Sequence, residues 1–338
     1  MTNRRIIVIG SGIAALSSIF ELNKKGFRNI LCLSHEDFAP SCSLTSTGIN
    51  ALRGTEAGLS DLGDILIKSH KAFTDFVVKY NPKGVTKTNE IHCWSGDNSK
   101  MKRRYKSFSS GRDFSFFKHE FINELNFVDN SAFIISPEIF LKWLTDESTF
   151  EHKREFVTEI NENSISTNGK VYNFDHLIIA SGFLAKNYLH LVDDKIVAKN
   201  LFYSKPVSGA YIEFSADVFK TSHLTIENSF SFVFEDTHLI FRKDINKIIV
   251  GSTSENNSLN FLANKTELKR KYLKLTEMIG GEFPDFSLGE LKAGVRHKTQ
   301  NREPFWGLMT KDISGIWGLY KTGWSMSFLA AIEVSESL

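Results

Sequence analysis

The sequence predicts an α/β fold in which a unit built on a parallel sheet is interwoven with a second unit of mostly antiparallel sheet. Three observations predict it. The chain opens on a β-branched run, Ile6-Ile7-Val8-Ile9, followed at once by a glycine turn and an apolar-striped segment. A second buried-strand pattern, Leu177 to Ala180, closes far downstream on Ser181-Gly182. The second half then reads as strands, in VSGAYIEFS, THLIFRKD and NKIIVGSTS. Continuous β-branched runs fit strands buried on both faces, and alternation fits a sheet with one face toward water. The 338 residues are enough for two such units. Residues 1–80, 131–195 and 290–338 are assigned to the first, and 81–130 with 196–289 to the second.

Ile6 to Ile9 form the opening strand, and Gly10-Ser11-Gly12 makes the turn. Ile13 to Lys25 reads as a helix striped by Ile13, Leu16, Ile19 and Phe20, with Gly26 as its stop. Ile30 to Leu33 is the next strand. In such a unit Gly10 permits the turn, Gly12 leaves room for a pyrophosphate, and Ala15 lets helix and strand lie close. Unpaired N–H groups at the helix start meet the phosphate charge. A GxGxxA spacing in this setting reads as a Rossmann-like dinucleotide site. The acid that grips the adenosine ribose is replaced by Ser34, an uncharged and weaker partner, with Glu36 nearby as a substitute. Residues 41–50, SCSLTSTGIN, form a hydroxyl-rich loop leading to a helix; its hydroxyls suit phosphate and Gly48 suits a flat ring.

Leu59 to Tyr80 has helical periodicity interrupted by Gly63, which allows two shorter helices. NSKMKRRYKSFSSGRD, with basic residues at 100, 102, 103, 104 and 106 around Tyr105, reads as a solvated hairpin or loop; a patch for an anionic substrate or RNA is the alternative. Ser136-Pro137 opens a further helix, with Ser136 as cap and Pro137 at its first position. An Asn-Gly turn at 168 and 169 separates short strands, and Asp175 is a turn residue. Residues 265–280 form a basic helix whose Leu268, Tyr272, Leu275 and Ile279 face the sheet. The chain ends in a strand, a turn at Gly323 and a terminal helix whose first turn holds Trp324, Ser325 and Met326. Two helix starts, one at Gly12 and one at Gly323, suit a long extended cofactor such as FAD.

Composition excludes some classes. Charged residues are 24% and hydrophobic ones 41%, an ordinary globular balance, and the net charge of +2 carries no nucleic-acid footprint. Cys32, Cys42 and Cys93 form no CxxC pair, so free cysteines in a reducing, cytoplasmic setting are expected. The ten histidines make no HExxH spacing, and no metal is expected. The apolar run at 6–9 is a strand rather than a signal peptide, and no run approaches the length of a membrane span.

The segments IVIGSGIAAL, SLTSTG, ISPEIFLKWL, HLIIASG, KPVSGAYIEF, HLIFRKDINKIIVGSTSE, AGVRHKTQNREPFWG and GLYKTGWSMSFLAA together resemble the D-amino-acid oxidase superfamily of FAD-dependent oxidoreductases. The layout is most similar to glycine oxidase and to the oxidase domain of the bifunctional tRNA wobble-uridine modification enzyme. The poorest match covers residues 51–130. The resemblance implies non-covalent FAD and oxidation of the C–N bond of an amino acid or secondary amine by hydride transfer to flavin N5. It implies that Arg296 clamps the substrate carboxylate, with His238 and Lys321 beside the substrate. It also implies a cofactor set beginning with Gly10, Gly12, Ile13, Ala14 and Ala15, then Ser34 and His35. Ser43, Thr45, Ser46, Thr47 and Gly48 follow, with Val157. Ala180, Ser181 and Gly182, then Gly323, Trp324, Ser325 and Met326, complete it. Arg242 is read as closing a salt bridge or anchoring its strand rather than meeting substrate. Lysine and tyrosine in GLYKTG depart from the family's GHxRNG-like segment and point to a substrate unlike a simple amino acid. An FAD-holding partner subunit without turnover, and an oxidase acting on a modified tRNA base, are the competing readings.

Overall fold

The computed structural model describes residues 3–35, 41–110, 125–219, 228–279 and 283–338; Glu36 lies outside them. The elements in chain order begin β1 (Ile6–Ile9), α1 (Ile13–Lys24), β2 (Ile30–Ser34), β3 (Ile49–Ala51) and α2 (Asp61–Tyr80). Next come β4 (Val85–Ser95), α3 (Ser99–Arg104), β5 (Ser109–Ser110), β6 (Leu125–Ile135) and α4 (Pro137–Asp146). Five short strands follow: β7 (Glu151–Arg154), β8 (Val157–Ile160), β9 (Ser164–Thr167), β10 (Lys170–Asn173) and β11 (His176–Ile179). Then come α5 (Lys195–Phe202), β12 (Lys205–Ser215), β13 (Phe230–Phe234), β14 (Thr237–Arg242), β15 (Lys247–Gly251) and β16 (Glu255–Asn256). The chain closes with α6 (Lys265–Met278), β17 (Glu290–Lys298), β18 (Phe305–Thr310), β19 (Ile313–Trp317) and α7 (Gly323–Glu336).

The first sheet runs β18-β19-β11-β1-β2-β7, parallel except for β18. Its central strands are completely buried, as their β-branched runs require. One face meets α1, α2, α4 and α7 in an aromatic-rich core that uses much of the chain's phenylalanine: Phe73, Phe76, Phe140 and Phe328 pack together, with Phe76 and Phe328 centroids 4.3 Å apart. The other face, Ile7, Ile9, Leu31 and Leu33, packs against the small antiparallel sheet β10-β9-β8. The second unit is a ten-stranded sheet in the order β16-β12-β15-β14-β13-β4-β6-β3, with β17 on β12 and β5 on β6. Most of its pairs are antiparallel, although β13 and β4 run parallel. Leu268, Tyr272 and Leu275 of α6 cover one of its faces.

Several expectations need correction. Strand β17 pairs with β12 from Lys205↔Lys298 to Glu213↔Glu290 and β3 pairs with β6, so residues 290–298 and 49–51 run in the second sheet rather than with the first unit. Helix α2 is continuous: Gly63 sits in its first turn, where its amide donates to the cap Ser60 Oγ at 3.1 Å, so the glycine falls where helix interior propensity matters least. The hydroxyl-rich loop leads into β3, not a helix. The basic run folds as the short helix α3, pinned by Met101 and by Tyr105, whose ring stacks on buried Trp94 at 5.9 Å; its residues 111–113 lie outside the described part. Ser136 stands at the start of α4 without capping it, because its hydroxyl donates to Asp244 at 2.8 Å.

Candidate functional site

The turn after β1 fixes one end of the site. Gly10 has φ +120°, and a Cβ there would stand 2.4 Å from the carbonyl oxygen of Ala180 at the end of β11. Only glycine lets the chain cross that neighbouring strand and enter α1. A Cβ on Gly12 would meet the Ser43 and Ser41 hydroxyls at 3.1 and 3.3 Å, so the hydroxyl-rich loop closes directly on the helix start. The Ile13 amide donates to Ser43 Oγ at 3.0 Å. Helix α7 begins alongside: a Cβ at Gly323 would lie 3.8 Å from Ile13 Cγ2. Ser17 Oγ, 2.7 Å from the Ile13 carbonyl of its own helix, also lies 3.1 Å from the Ser327 carbonyl, so the two helices touch one turn further on. The two starts therefore open onto one space; in α7 the Gly323 and Trp324 amides have no acceptor within the helix, whereas those of Ser325 and Met326 donate to the Thr322 carbonyl at 3.2 and 3.0 Å. Trp324 locks α7 to the loop through its indole N–H, 2.9 Å from Ser46 Oγ.

That space is a cavity of about 900 Å³ running from Gly10 and Gly12 to His238, Arg296 and Lys321. Buried hydroxyls on its wall, Thr45 Oγ1 and Ser181 Oγ, have no protein partner. Hydroxyls left unsatisfied beside two helix starts fit a phosphate-bearing cofactor. Arg242, read as an anchor, is one: fully buried, it donates from Nη2 to the Ser46 carbonyl at 3.0 Å and so ties β14 to the hydroxyl loop.

At the far end, Arg296 on β17 lies flat against Gly209 of β12. A Cβ at Gly209 would fall 2.1 Å from Nη1. Nη1 is buried and has no hydrogen-bond partner. A guanidinium held in this way fits a planar anion, since an orphaned buried donor on a cation is costly otherwise. His238 stands on β14 with Nε2 3.3 Å from Arg53 Nη2. The guanidinium has only protons to offer, so Nε2 accepts and the ring proton is assigned to Nδ1, which is buried and unpartnered. Burial, then Arg53, then Lys321 hold its pKa well below the ordinary value, and the ring is neutral. Arg53 in turn makes a fork to fully buried Glu90, at 2.6 and 2.7 Å. Behind it His92 Nδ1 is 2.9 Å from Tyr105 Oη, and burial followed by Arg53 lowers its pKa to about 4. Removal from water lowers the pKa of Lys321 most; Tyr320 pulls it back up, and Arg296, Arg302 and Arg53 in turn lower it. Tyr320 is flanked by the ammonium groups of Lys298 and Lys321, 5.7 and 5.5 Å from its ring centre.

The structure brings Arg296, His238 and Lys321 together with Gly10, Gly12, Ile13, Ala14, His35, Ser43, Thr45, Ser46 and Thr47 on this one cavity. Ala180, Ser181, Gly182, Gly323, Trp324 and Ser325 line it too. Five expected residues do not line it. Ser34 is fully buried with Oγ 2.8 Å from His152 Nε2 on the neighbouring β7, so its hydroxyl is already satisfied away from the cleft. Val157 points into the core with Ile7 and Ile9. Ala15 is wholly buried beneath the turn, where its small size serves packing. Gly48, at φ +61°, is pressed on Ile135, whose carbonyl oxygen a Cβ would meet at 2.0 Å. Met326 is buried with its sulfur accepting from the Thr322 hydroxyl at 2.9 Å. Sequence reasoning missed Arg53, Glu90, Gly209 and Arg302. The pair Arg53-Gly54, both in the left-handed region directly after β3, is the local signal for the first of these.

No family model matches the sequence, and no curated protein matches it. Solved structures do. Glycine oxidase from Geobacillus kaustophilus superposes with a TM-score of 0.77 at 14% identity, over 98% of this chain and 94% of that one. Iminodiacetate oxidase from Chelativorans sp. BNC1 gives 0.76 at 14% identity, over 98% and 95%. L-alpha-glycerophosphate oxidase from Mycoplasma pneumoniae, with FAD bound, gives 0.74 at 13% identity, over 100% and 95%. At these identities the likeness is one of fold: nearly the whole chain takes the mixed α/β architecture of these oxidases, as the sequence motifs implied.

Proposed function

We propose that this chain binds FAD non-covalently and oxidises the C–N bond of a carboxylate-bearing amine. The observation that carries the reading is Arg296, a guanidinium seated over Gly209 with a buried, unpartnered Nη1, in the same cavity as the two helix starts. The fold shared with glycine oxidase and iminodiacetate oxidase supports it. Bound flavin supplies the hydride acceptor. The turn at Gly12, the Ser43–Thr47 loop and the Ser181 hydroxyl would hold its phosphates, and the first amides of α7 would face it with positive charge.

The chain's own groups do the rest. Arg296 fixes the substrate carboxylate by paired N–H donors, which sets orientation as well as charge. His238 is a neutral donor and not a base, because the Arg53 guanidinium already occupies its lone pair at Nε2. The substrate amine loses its proton for another reason: taking a bound ammonium out of water disfavours its charged form and lowers its pKa.

The test is direct. Purified protein should carry the visible absorbance of oxidised flavin and bleach anaerobically with one or more of glycine, sarcosine, proline and D-amino acids. Arg296→Met should keep the flavin and lose on the order of 2–3 kcal/mol of substrate interaction, read as a fall of roughly 30- to 150-fold in the second-order rate of reduction. Colourless protein that FAD does not reconstitute, or full reduction rates in the variant, would end the reading.

A further inference from the structure

Arg296 is not the only uncompensated cation in the cavity. Arg302, on the turn after β17, and Lys321, on the loop before α7, line the same wall, and neither forms an ion pair among the described residues. The two segments are fastened together, since a Cβ on Gly318 (φ +75°) would stand 2.4 Å from Thr299 Cγ2. Asn301 and Arg302 both hold left-handed backbone, φ 56° and 64°, a costly conformation for side-chain-bearing residues that presents Arg302 at this point. Arg53 differs, because Glu90 already answers its charge. Glu235, Asp236, Glu255 and Glu267 also line the cavity, but among the described residues no ion pair joins any of them to these cations, the first two and the last being paired with Lys274, Lys271 and Arg270. Arg296 sits at the inner end over Gly209, whereas Arg302 and Lys321 are exposed toward the mouth. Like charges crowded on one wall repel, and a single carboxylate relieves only the inner one.

We propose that the substrate carries two anionic groups, the first seated on Arg296 and the second, nearer the mouth, on Lys321 and Arg302. Its class is then an N-carboxyalkyl amino acid or similar amine diacid. This substrate class rests on the amine-oxidation reading, whereas the two anion stations rest on the cavity alone.

The experiment is calorimetric titration of the FAD-loaded protein with amine-free analogues: oxydiacetate and the longer 3,3′-thiodipropionate, each against the monoacid methoxyacetate. One dicarboxylate should bind about tenfold or more tighter than the monoacid, the scale of one well-placed charge contact. Lys321→Gln should bring the ratio of dicarboxylate to methoxyacetate affinity close to one, and Lys321→Arg should restore it. Equal binding of all three acids, or a preference untouched in Lys321→Gln, overturns the proposal. The outcomes also separate the two ideas. Flavin reduced by monocarboxylate amines with no diacid preference leaves amine oxidation standing and removes the second station. A Lys321-dependent preference in protein whose flavin no amine reduces keeps both stations and removes the oxidation reading.

Discussion

Two glycines of this site do opposite jobs, and substitution of each by alanine separates them. Gly10 needs its missing side chain for the backbone: φ is +120° and the nearest atom is a main-chain oxygen, Ala180 O, at 2.4 Å from the built Cβ. Neither partner can yield, so Gly10→Ala should destabilise the fold by on the order of 2 kcal/mol or more and abolish FAD retention. Gly209 lies in an ordinary strand conformation, and what its Cβ would meet is the tip of the Arg296 side chain at 2.1 Å. A flexible tip moves at little cost to folding. Gly209→Ala should therefore keep the melting temperature and the flavin while displacing the guanidinium, so that carboxylate affinity falls by roughly tenfold or more with Arg296 still present. Thermal melts beside calorimetric titration with methoxyacetate check both. Normal carboxylate affinity in Gly209→Ala would mean that the guanidinium does not lie where the anion binds.

At the scale of elements, the site depends on two helices starting side by side. Helix α1 packs on α7 through small residues: Ala15, Ala330 and Ala331 are completely buried, and Ser17 Oγ lies 3.1 Å from the Ser327 carbonyl. Side chains this small let the axes approach, which is what brings Gly323 next to Ile13. Ser17→Ala should cost about 1 kcal/mol, the worth of one buried hydrogen bond, and leave FAD affinity near its starting value. Ser17→Leu adds volume at the crossing and should cost about 1–3 kcal/mol. It should weaken FAD binding well beyond the alanine variant, because the helix starts are pushed apart. Fluorescence titration of apoprotein with FAD, alongside urea melts, distinguishes the two. Equal FAD affinity in both variants would show that the helix spacing does not govern the cofactor site. Neither glycine turn could be read in isolation from the sequence as facing the other; only the order β1-α1 and β19-α7 hinted at it, and the small-residue seam supplied the geometry.

For the whole molecule, what was legible in the sequence were the pieces in which one local pattern fixes one structure. The β-branched run at Ile6–Ile9, the glycine turn and the Pro137 helix start fall where their local chemistry places them. What was not legible depends on pairing across distance. Strand β17 joins the second sheet through β12, and Arg53 meets Glu90 and His238 from three separate strands or turns. Ser34 shows the same limit, since its partner His152 comes from β7 far along the chain. Such pairings also bury histidines in the core, which gives the fold a pH dependence. His92, His176 and His297 each have a pKa lowered to about 4, first by burial. The unfolded chain takes up protons at these rings near pH 6.5 while the native rings stay neutral, so stability rises with pH through that window. It is fully present above about pH 6.5 and lost as the pH falls toward 4, by about 3 kcal/mol for each ring at 1.36 kcal/mol per unit. Carboxylates whose native pKa is lowered, such as Asp236, lose their contribution only below their unfolded value near 4, and so act later on the acid side. The urea midpoint should thus be flat from about pH 7 to 8 and fall steeply between about 6.5 and 4.5. His238, held well below the ordinary value, adds to the same slope, so His176→Gln, which keeps a polar group facing Ser314 Oγ at the 2.9 Å contact, should remove about a quarter of it or less. A midpoint that stays constant down to about pH 5 would show that these rings already carry protons in the native protein.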